Sequence, residues 1–137
     1  MASFKEINIP QKPPMVMVDR IVEINDMTTV TAFLIRADNV FVDNGLFREP
    51  GLIENIAQSA AAGMEARSGE AGEEPKSGYI GAVRDLKISS LPKAGDEITT
   101  TITVTHQVFN AIVVSGQIRL NSEVIAECEL RIFIGNR

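Results

Sequence analysis

The amino-acid sequence predicts an α+β fold in which a curved antiparallel β-sheet wraps around one long central helix. Two β-branched segments come first, one long Ala-rich segment follows, and four further β-type segments complete the 137 residues. The Ala-rich segment has apolar residues at helical spacing, whereas a later segment alternates polar and apolar residues with a period of two. Because a single helix must cover all the strands, the sheet has to curl over it.

The first two predicted strands form a hairpin. Residues 1–14 carry three prolines and predict an irregular lead-in segment. Residues 15–24 are mostly apolar and β-branched, which is typical of a buried strand. Residues 28–35 have the same character, and the Asn-Asp pair between the two is a turn signal. The turn-rich residues 36–49 predict a loop before the helix.

The predicted helix spans residues 50–67. It begins at Pro50, a first helical position where the missing proline N–H is not needed. Its apolar residues recur every three or four positions. These are Leu52, Ile53, Ile56, Ala57, Ala60, Ala61 and Met64. Many of the other residues are Ala or Gly, so neighbouring backbone can approach closely, and we expect a helix that is enclosed on several sides.

Four strands follow a charged, Gly-rich loop at residues 68–77. From Thr101 onward, one of them places polar side chains on one face and apolar side chains on the other. The four predicted strands comprise residues 79–88, 96–108, 111–120 and 123–134. The length fits one domain, and we expect that residues 1–137 form it.

Composition and charge exclude several classes of function. A net charge of −5 argues against nucleic acid as a partner, because phosphate binding needs clustered Lys and Arg. The only cysteine, Cys128, cannot form an intrachain disulfide, which suits a reducing compartment. The first residues lack the features of a signal peptide, and no apolar run approaches the length that spans a bilayer. We therefore expect a cytoplasmic protein that does not enter a membrane.

Glu54 is the residue that remains once the common catalytic motifs are excluded. The chain has one His and one Cys, no metal-ligand spacing, no phosphate-binding glycine loop and no GxSxG motif. Glu54 lies roughly one turn into the predicted helix among apolar residues, and Gln58 follows four residues later on the same face. A carboxylate in apolar surroundings is costly unless it is hydrogen-bonded or functional. Two interpretations remain open: an acid in a site, or a side chain that faces solvent or a cap partner.

Four segments, in order along the chain, resemble one family. They are PPMVMVDR at residues 13–20, GLIENIAQS at 51–59, GYIGAVR at 78–84 and PKAGD at 92–96. Together they resemble the 3-hydroxyacyl-carrier-protein dehydratases, which have the hot-dog fold. Within this family, the chain is similar to the dehydratase-like proteins of aryl polyene and flexirubin pigment pathways.

The resemblance implies a site between two subunits of a homodimer or heterodimer. In this family a His from a loop of one subunit takes the proton α to the thioester carbonyl. A Glu from the central helix of the other helps to expel the 3-hydroxyl as water. Glu54 matches that acid and Gln58 its neighbour, and Gly51, Gln58 and Gly81 are expected to bind substrate. The substrate is an acyl thioester on acyl carrier protein or CoA, with no metal or organic cofactor.

The chain departs from the family pattern at the loop before the helix. Where the family has GHFP, residues 43–50 contain no His. Three hypotheses follow. In the first, a second hot-dog subunit supplies the His. In the second, Asp43 or Asn44 replaces it, either in a dehydratase or in a thioesterase that needs only a carboxylate to activate water. In the third, the chain is a non-catalytic partner subunit or an acyl-thioester binder. Of the two replacements, Asn44 is the one that we assign to the catalytic set with Glu54.

The remaining two reactive side chains are expected to be structural. Strand parity places His106 on the apolar face with Ile102 and Val104, where a packed, hydrogen-bonded histidine is expected rather than a base in an acyl tunnel. Parity also places Cys128 on the apolar face of the last strand, which predicts a buried, inert thiol.

Overall fold

The computed structural model describes residues 7–72 and 76–136 and contains one long helix and a six-stranded antiparallel sheet. The elements are β1 Arg20–Ile24, β2 Thr28–Leu34, β3 Val42–Asp43, β4 Leu46–Phe47, α1 Glu49–Ala71, β5 Lys76–Ile88, β6 Glu97–Val108, β7 Ala111–Leu120 and β8 Glu123–Asn136. The sheet order is β1-β2-β6-β7-β8-β5, and β3 and β4 form a separate small hairpin. The predicted α+β class, with a sheet wrapped around one helix, is confirmed.

Several details of the predicted elements were wrong, and β5 begins at Lys76 rather than at residue 79. β1 begins at Arg20 rather than at residue 15, because Met15 and Met17 bond to side chains of the helix; the irregular lead-in segment therefore continues to Asp19. The predicted loop at residues 36–49 contains the β3–β4 hairpin. Helix α1 continues four residues beyond the predicted end and stops at Gly72, which adopts the left-handed conformation (φ 71°) that favours glycine. Part of the segment predicted as a loop at 68–77 lies outside the described residues.

Helix α1 is buried on several sides, as its small residues predicted. Leu52, Ile56 and Ala60 belong to the main core between the helix and the sheet. Ala62 belongs to a second apolar cluster, which contains Ile21 of β1. The apolar surface is therefore not confined to one stripe, and the helix lies in a trough formed by the sheet and the lead-in segment.

Gly63 marks the closest approach between α1 and β2. A Cβ added at Gly63 would overlap the Oγ1 atom of Thr29. We expect Gly63→Ala to destabilise the protein by about 1–2 kcal/mol despite the higher helix propensity of Ala. Urea unfolding measures this change, and Gly69→Ala is the matched control, since nothing lies within 4 Å of a Cβ there. The control should be neutral or stabilising; equal stabilities of the two variants would contradict this packing.

A buried polar network joins α1 to the sheet and to the lead-in segment. Asn55 is fully buried; its Nδ2 donates to the Met17 carbonyl at 2.7 Å, and its Oδ1 accepts from Thr100 Oγ1 at 2.5 Å. Ser59 Oγ and Thr31 Oγ1 form another buried hydrogen bond at 2.7 Å. Because each of these groups has a partner, they fix the rotation of the helix without leaving an unsatisfied polar atom.

Strand β5 is an edge of the sheet, and among the strands that the structure describes it pairs only with β8. Its apolar side chains are unusually exposed for this length of strand: Tyr79 is 67% exposed, and Ile80, Val83 and Leu86 are each about 40% exposed. An edge strand that is this long and apolar is a template for pairing with another chain. Among the described residues, no helix has both the length and the apolar character needed to cross a bilayer.

Candidate active site

Glu54 lies early in α1 with one carboxylate oxygen engaged and the other available. Gln58 Nε2 donates to Glu54 Oε2 at 2.8 Å. Glu54 Oε1 forms no hydrogen bond, and the carboxylate no ion pair, with any residue that the structure describes. Glu54 is only partly buried. Glu54 is therefore fixed by one hydrogen bond and keeps one free carboxylate oxygen, whereas a structural salt bridge would engage it with a cation.

Gln58 holds Glu54 and connects it to the lead-in segment. It is fully buried, its Oε1 accepts from the Met17 N–H at 2.6 Å, and its Nε2 also donates to the Met15 carbonyl at 2.8 Å. Because Oε1 is occupied by a backbone N–H, the amide must present its Nε2 hydrogen to Glu54. Gln58 therefore fixes the orientation of the Glu54 carboxyl group, and the helical face that residues 54 and 58 share predicted their contact. Gln58 is not among the residues that line the pocket, and its contact with substrate stays a prediction.

A pocket of about 220 Å³ adjoins Glu54. One wall is the face of α1 that carries Ala57, Ala61, Met64 and Glu65. The opposite wall is formed by Gly78, Tyr79 and Ile80 at the start of β5 and by Ile132 of β8, and Pro10 and Gln11 of the lead-in segment complete the lining. The pocket thus lies between the helix and the exposed edge strand and contains two carboxylates in mainly apolar surroundings.

Two polar lining residues were not singled out from the sequence. Glu65 is eleven residues after Glu54, which is three helical turns, so the helical period places both on one face. The position of Glu65 in the pocket could have been predicted from this spacing. Gln11 lies in an irregular segment, where no periodicity indicates which side chain points towards the helix.

Asn44 does not lie in the pocket of its own chain. It occupies the turn between β3 and β4 with φ 54°, followed by Gly45 with φ 80°, as expected of an Asn-Gly hairpin turn. The hairpin contacts the turn before β6: Phe47 N–H donates to the Pro92 carbonyl, and Ala94 N–H donates to the Gly45 carbonyl. A conformational role accounts for Asn44, and its catalytic role stays a prediction.

The two glycines predicted to contact substrate occupy different surroundings. A Cβ at Gly51 would lie 2.5 Å from the Phe47 ring, and the Gly51 N–H donates to the Arg48 carbonyl. Within one chain, the absence of a side chain at Gly51 therefore allows the Phe47 ring to pack against the helix. Gly81 is the extra residue of a β-bulge in β5, where the ladder leaves a residue unpaired, and the Phe133 ring covers its α-carbon. Substrate contact by either glycine stays a prediction.

His106 points away from the apolar face, so its predicted orientation was wrong. A bulge between Val104 and His106 shifts the β6–β7 register, and His106 pairs with Val113 on the outer face of the sheet. The ring is exposed and lies 3.3 Å from Thr105 Oγ1. None of the residues around the outer-face cleft that contains His106 lines the Glu54 pocket. Within one chain, His106 therefore does not lie in the pocket where a base could act on a substrate beside Glu54.

Cys128 is buried, as predicted. Its side chain is 5% exposed, and burial raises the pKa of the thiol to about 11. A thiol with so high a pKa stays protonated near neutrality and is a poor nucleophile. Among the described residues, no three His, Cys, Asp or Glu side chains are grouped so that they could hold a metal ion.

A six-stranded antiparallel sheet wrapped around one long helix is the architecture of a hot-dog protein. The model of the ApeP-like family, described as ApeP dehydratase, matches residues 5–136, and the chain belongs to this family. A 3-hydroxyacyl-[acyl-carrier-protein] dehydratase FabZ from Clostridium botulinum is 29% identical over 146 residues, which cover 98% of this chain and 99% of that protein. The chain is thus a 3-hydroxyacyl-carrier-protein dehydratase-like protein.

Solved structures share the fold at low sequence identity. The dehydratase heterocomplex ApeI:P from Xenorhabdus doucetiae matches with a TM-score of 0.87 and 17% identity, covering 94% of this chain and 89% of that chain. The PaaI protein of the phenylacetic acid degradation operon of E. coli matches with a TM-score of 0.67 and 16% identity, covering 82% and 80%. These similarities confirm the hot-dog fold.

Proposed function

We propose that this chain is the acid-bearing subunit of a dehydratase that removes water from a 3-hydroxyacyl thioester on acyl carrier protein, in fatty-acid-like or polyene pigment synthesis. A second hot-dog subunit supplies the base. The observation that carries the proposal is the geometry of Glu54: Gln58 holds one oxygen, and the other is free beside a pocket that adjoins the edge strand β5. The single thiol is compatible with a cytoplasmic location.

In this reaction the base removes the proton from the α-carbon of the thioester. The electrons of that C–H bond form the double bond to the β-carbon, and the β-carbon–oxygen bond breaks. The carboxyl group of Glu54 gives its proton to the departing oxygen, which leaves as water. We assign the binding of the thioester carbonyl to a backbone N–H, with Gly81 at the β5 bulge as the proposed donor.

The surroundings of Glu54 favour an enzyme over a silent partner. An acid retained only for structure would be expected in a salt bridge with no adjoining cavity. Glu54 instead adjoins a 220 Å³ pocket, and its hydrogen bond comes from a neutral amide. Holding a carboxyl in a fixed orientation at a cavity is what proton transfer to a bound substrate requires.

The need for a second subunit follows from the missing base. The described residues that line the pocket include no His, and the acid-base side chains there besides Glu54 are Glu65, three helical turns away, and Tyr79 of the edge strand. The exposed apolar edge of β5 borders the pocket and offers unpaired backbone to another chain. The similarity to a chain of the ApeI:P heterocomplex supports a heterodimer over a homodimer for this chain.

Turnover of a 3-hydroxyacyl-carrier-protein thioester by the chain alone, and by the chain with a second hot-dog subunit, tests the proposal. The substrate protein is followed by mass. We expect loss of water with the acyl group retained, and only when both subunits are present. Release of free acid would show a thioesterase instead, and an unchanged substrate under both conditions would show a non-catalytic binder.

Asn44 provides a separate test of the hypothesis that this chain carries its own substitute for the histidine. Glycine tolerates the positive φ of the turn and lacks the amide, so Asn44→Gly removes the chemistry and keeps the conformation. We expect dehydration by the two-subunit complex to change by less than about twofold, since the turn lies outside the pocket. A loss of about 100-fold would instead assign Asn44 a catalytic role.

A further inference from the structure

The pocket beside Glu54 is a groove that follows the helix and has a second polar end. Ala57, Ala61 and Met64 continue the face of α1 that begins at Glu54, and Glu65 follows them. Glu54 and Glu65 are eleven residues apart, so the groove is about 16 Å long at the helical rise. An apolar floor thus separates two carboxylates.

The side chains that form the floor between the two carboxylates are small, which leaves space for an elongated ligand. Ala57 and Ala61 present only methyl groups to the groove. A larger residue at position 61 would fill the space between the two carboxylates. Met64 is the last apolar residue before Glu65 and can adapt its shape to a ligand because its side chain is unbranched.

Glu65 gives the groove a polar limit. The residue is 9% exposed, and it lies on the pocket wall. An apolar tail that reached this carboxyl group would place its methylene groups against a polar group instead of against apolar side chains, and would gain little from the contact. A tail that ends beside Met64 would bury its methylene groups and leave Glu65 undisturbed.

We propose that the acyl tail lies along α1 over Ala57 and Ala61, that Ala61 is a specificity-determining residue, and that Glu65 sets the upper length of the apolar tail. The inference rests on the proposed function, because it takes Glu54 as the reacting end. The substrate class is then a 3-hydroxyacyl thioester whose apolar tail is no longer than the distance from Glu54 to Glu65.

Binding of unreactive thioesters tests this proposal without requiring turnover. Saturated acyl-pantetheine thioesters that lack the 3-hydroxyl, in a series of increasing chain length, are titrated calorimetrically into the complex of the full chain with the second hot-dog subunit. For the wild type, we expect affinity to rise by up to about fourfold per added methylene and then to stop rising. Ala61→Leu should stop the rise at a shorter tail, and Glu65→Met should extend it to a longer one.

Glu65→Gln is the matched control, because it keeps the size and polarity of the side chain and should leave the wild-type limit unchanged. Circular dichroism verifies that each variant is folded. The same chain-length limit in the wild type, Ala61→Leu and Glu65→Met would overturn the assignment of the groove while leaving the proposed function intact. Failure of the folded wild type to bind thioesters of any length would overturn both.

Discussion

Glu54→Gln is expected to reduce dehydration by the two-subunit complex by about 10²–10⁴-fold, the usual range for loss of a general acid. The amide has nearly the shape of the carboxyl and can still accept from Gln58 Nε2, so the fold and substrate binding should be retained. It has no acidic proton to give to the leaving hydroxyl. Single-turnover rates, with substrate and product separated by mass, measure the effect on chemistry itself.

Glu49→Gln is the control for the loss of a negative charge on the same helix. Glu49 lies in the first turn of α1 and pairs with Arg48 at 3.1 Å rather than with the pocket. We expect this variant to stay within about twofold of the wild type. If Glu54→Gln retained comparable activity, Glu54 would not be the acid.

Asn55→Leu is expected to destabilise the protein by about 2–5 kcal/mol, the largest effect on stability among the substitutions considered. The side chain is fully buried between the lead-in segment and β6. Leucine would leave both the Met17 carbonyl and the Thr100 hydroxyl buried without a partner. Denaturant unfolding followed by circular dichroism measures the change.

A double-variant cycle separates this loss of hydrogen bonds from simple misfit. Thr100→Val removes the hydroxyl that Asn55→Leu would leave without a partner, and it keeps the shape of the side chain. The double variant should therefore be less destabilised than the sum of the two single variants, by about 1 kcal/mol. Strict additivity would mean that the Asn55–Thr100 contact does not contribute as described.

The fold could be predicted from the sequence because its main signals are local. The spacing of apolar residues in α1, its small side chains and the alternation from Thr101 onward are each set by the period of one element. The boundaries that failed depend on tertiary contacts. Met15 and Met17 lie in an apolar segment typical of a strand but bond to Asn55 and Gln58, and no periodicity within that segment indicates such partners.

Half of the site could be predicted in the same way. The pair Glu54 and Gln58 follows from helical spacing, and their contact is present at 2.8 Å. The orientation of His106 could not be predicted, because a bulge adds one residue to the strand and reverses parity beyond it. The pocket wall formed by β5 could not be predicted either, because it depends on the order of the strands in the sheet. That order places β5 at an edge, beside the helix.

Complementary variants of the two subunits test whether Glu54 and the base come from different chains. Wild-type chain is combined with a second hot-dog subunit whose loop histidine is replaced, and Glu54→Gln chain is combined with the intact second subunit. Dehydration of a 3-hydroxyacyl-carrier-protein thioester is then compared with that of the fully wild-type pair. We expect that only the wild-type pair is active. Full activity of the wild-type chain alone, or of the pair that carries Glu54→Gln, would contradict it.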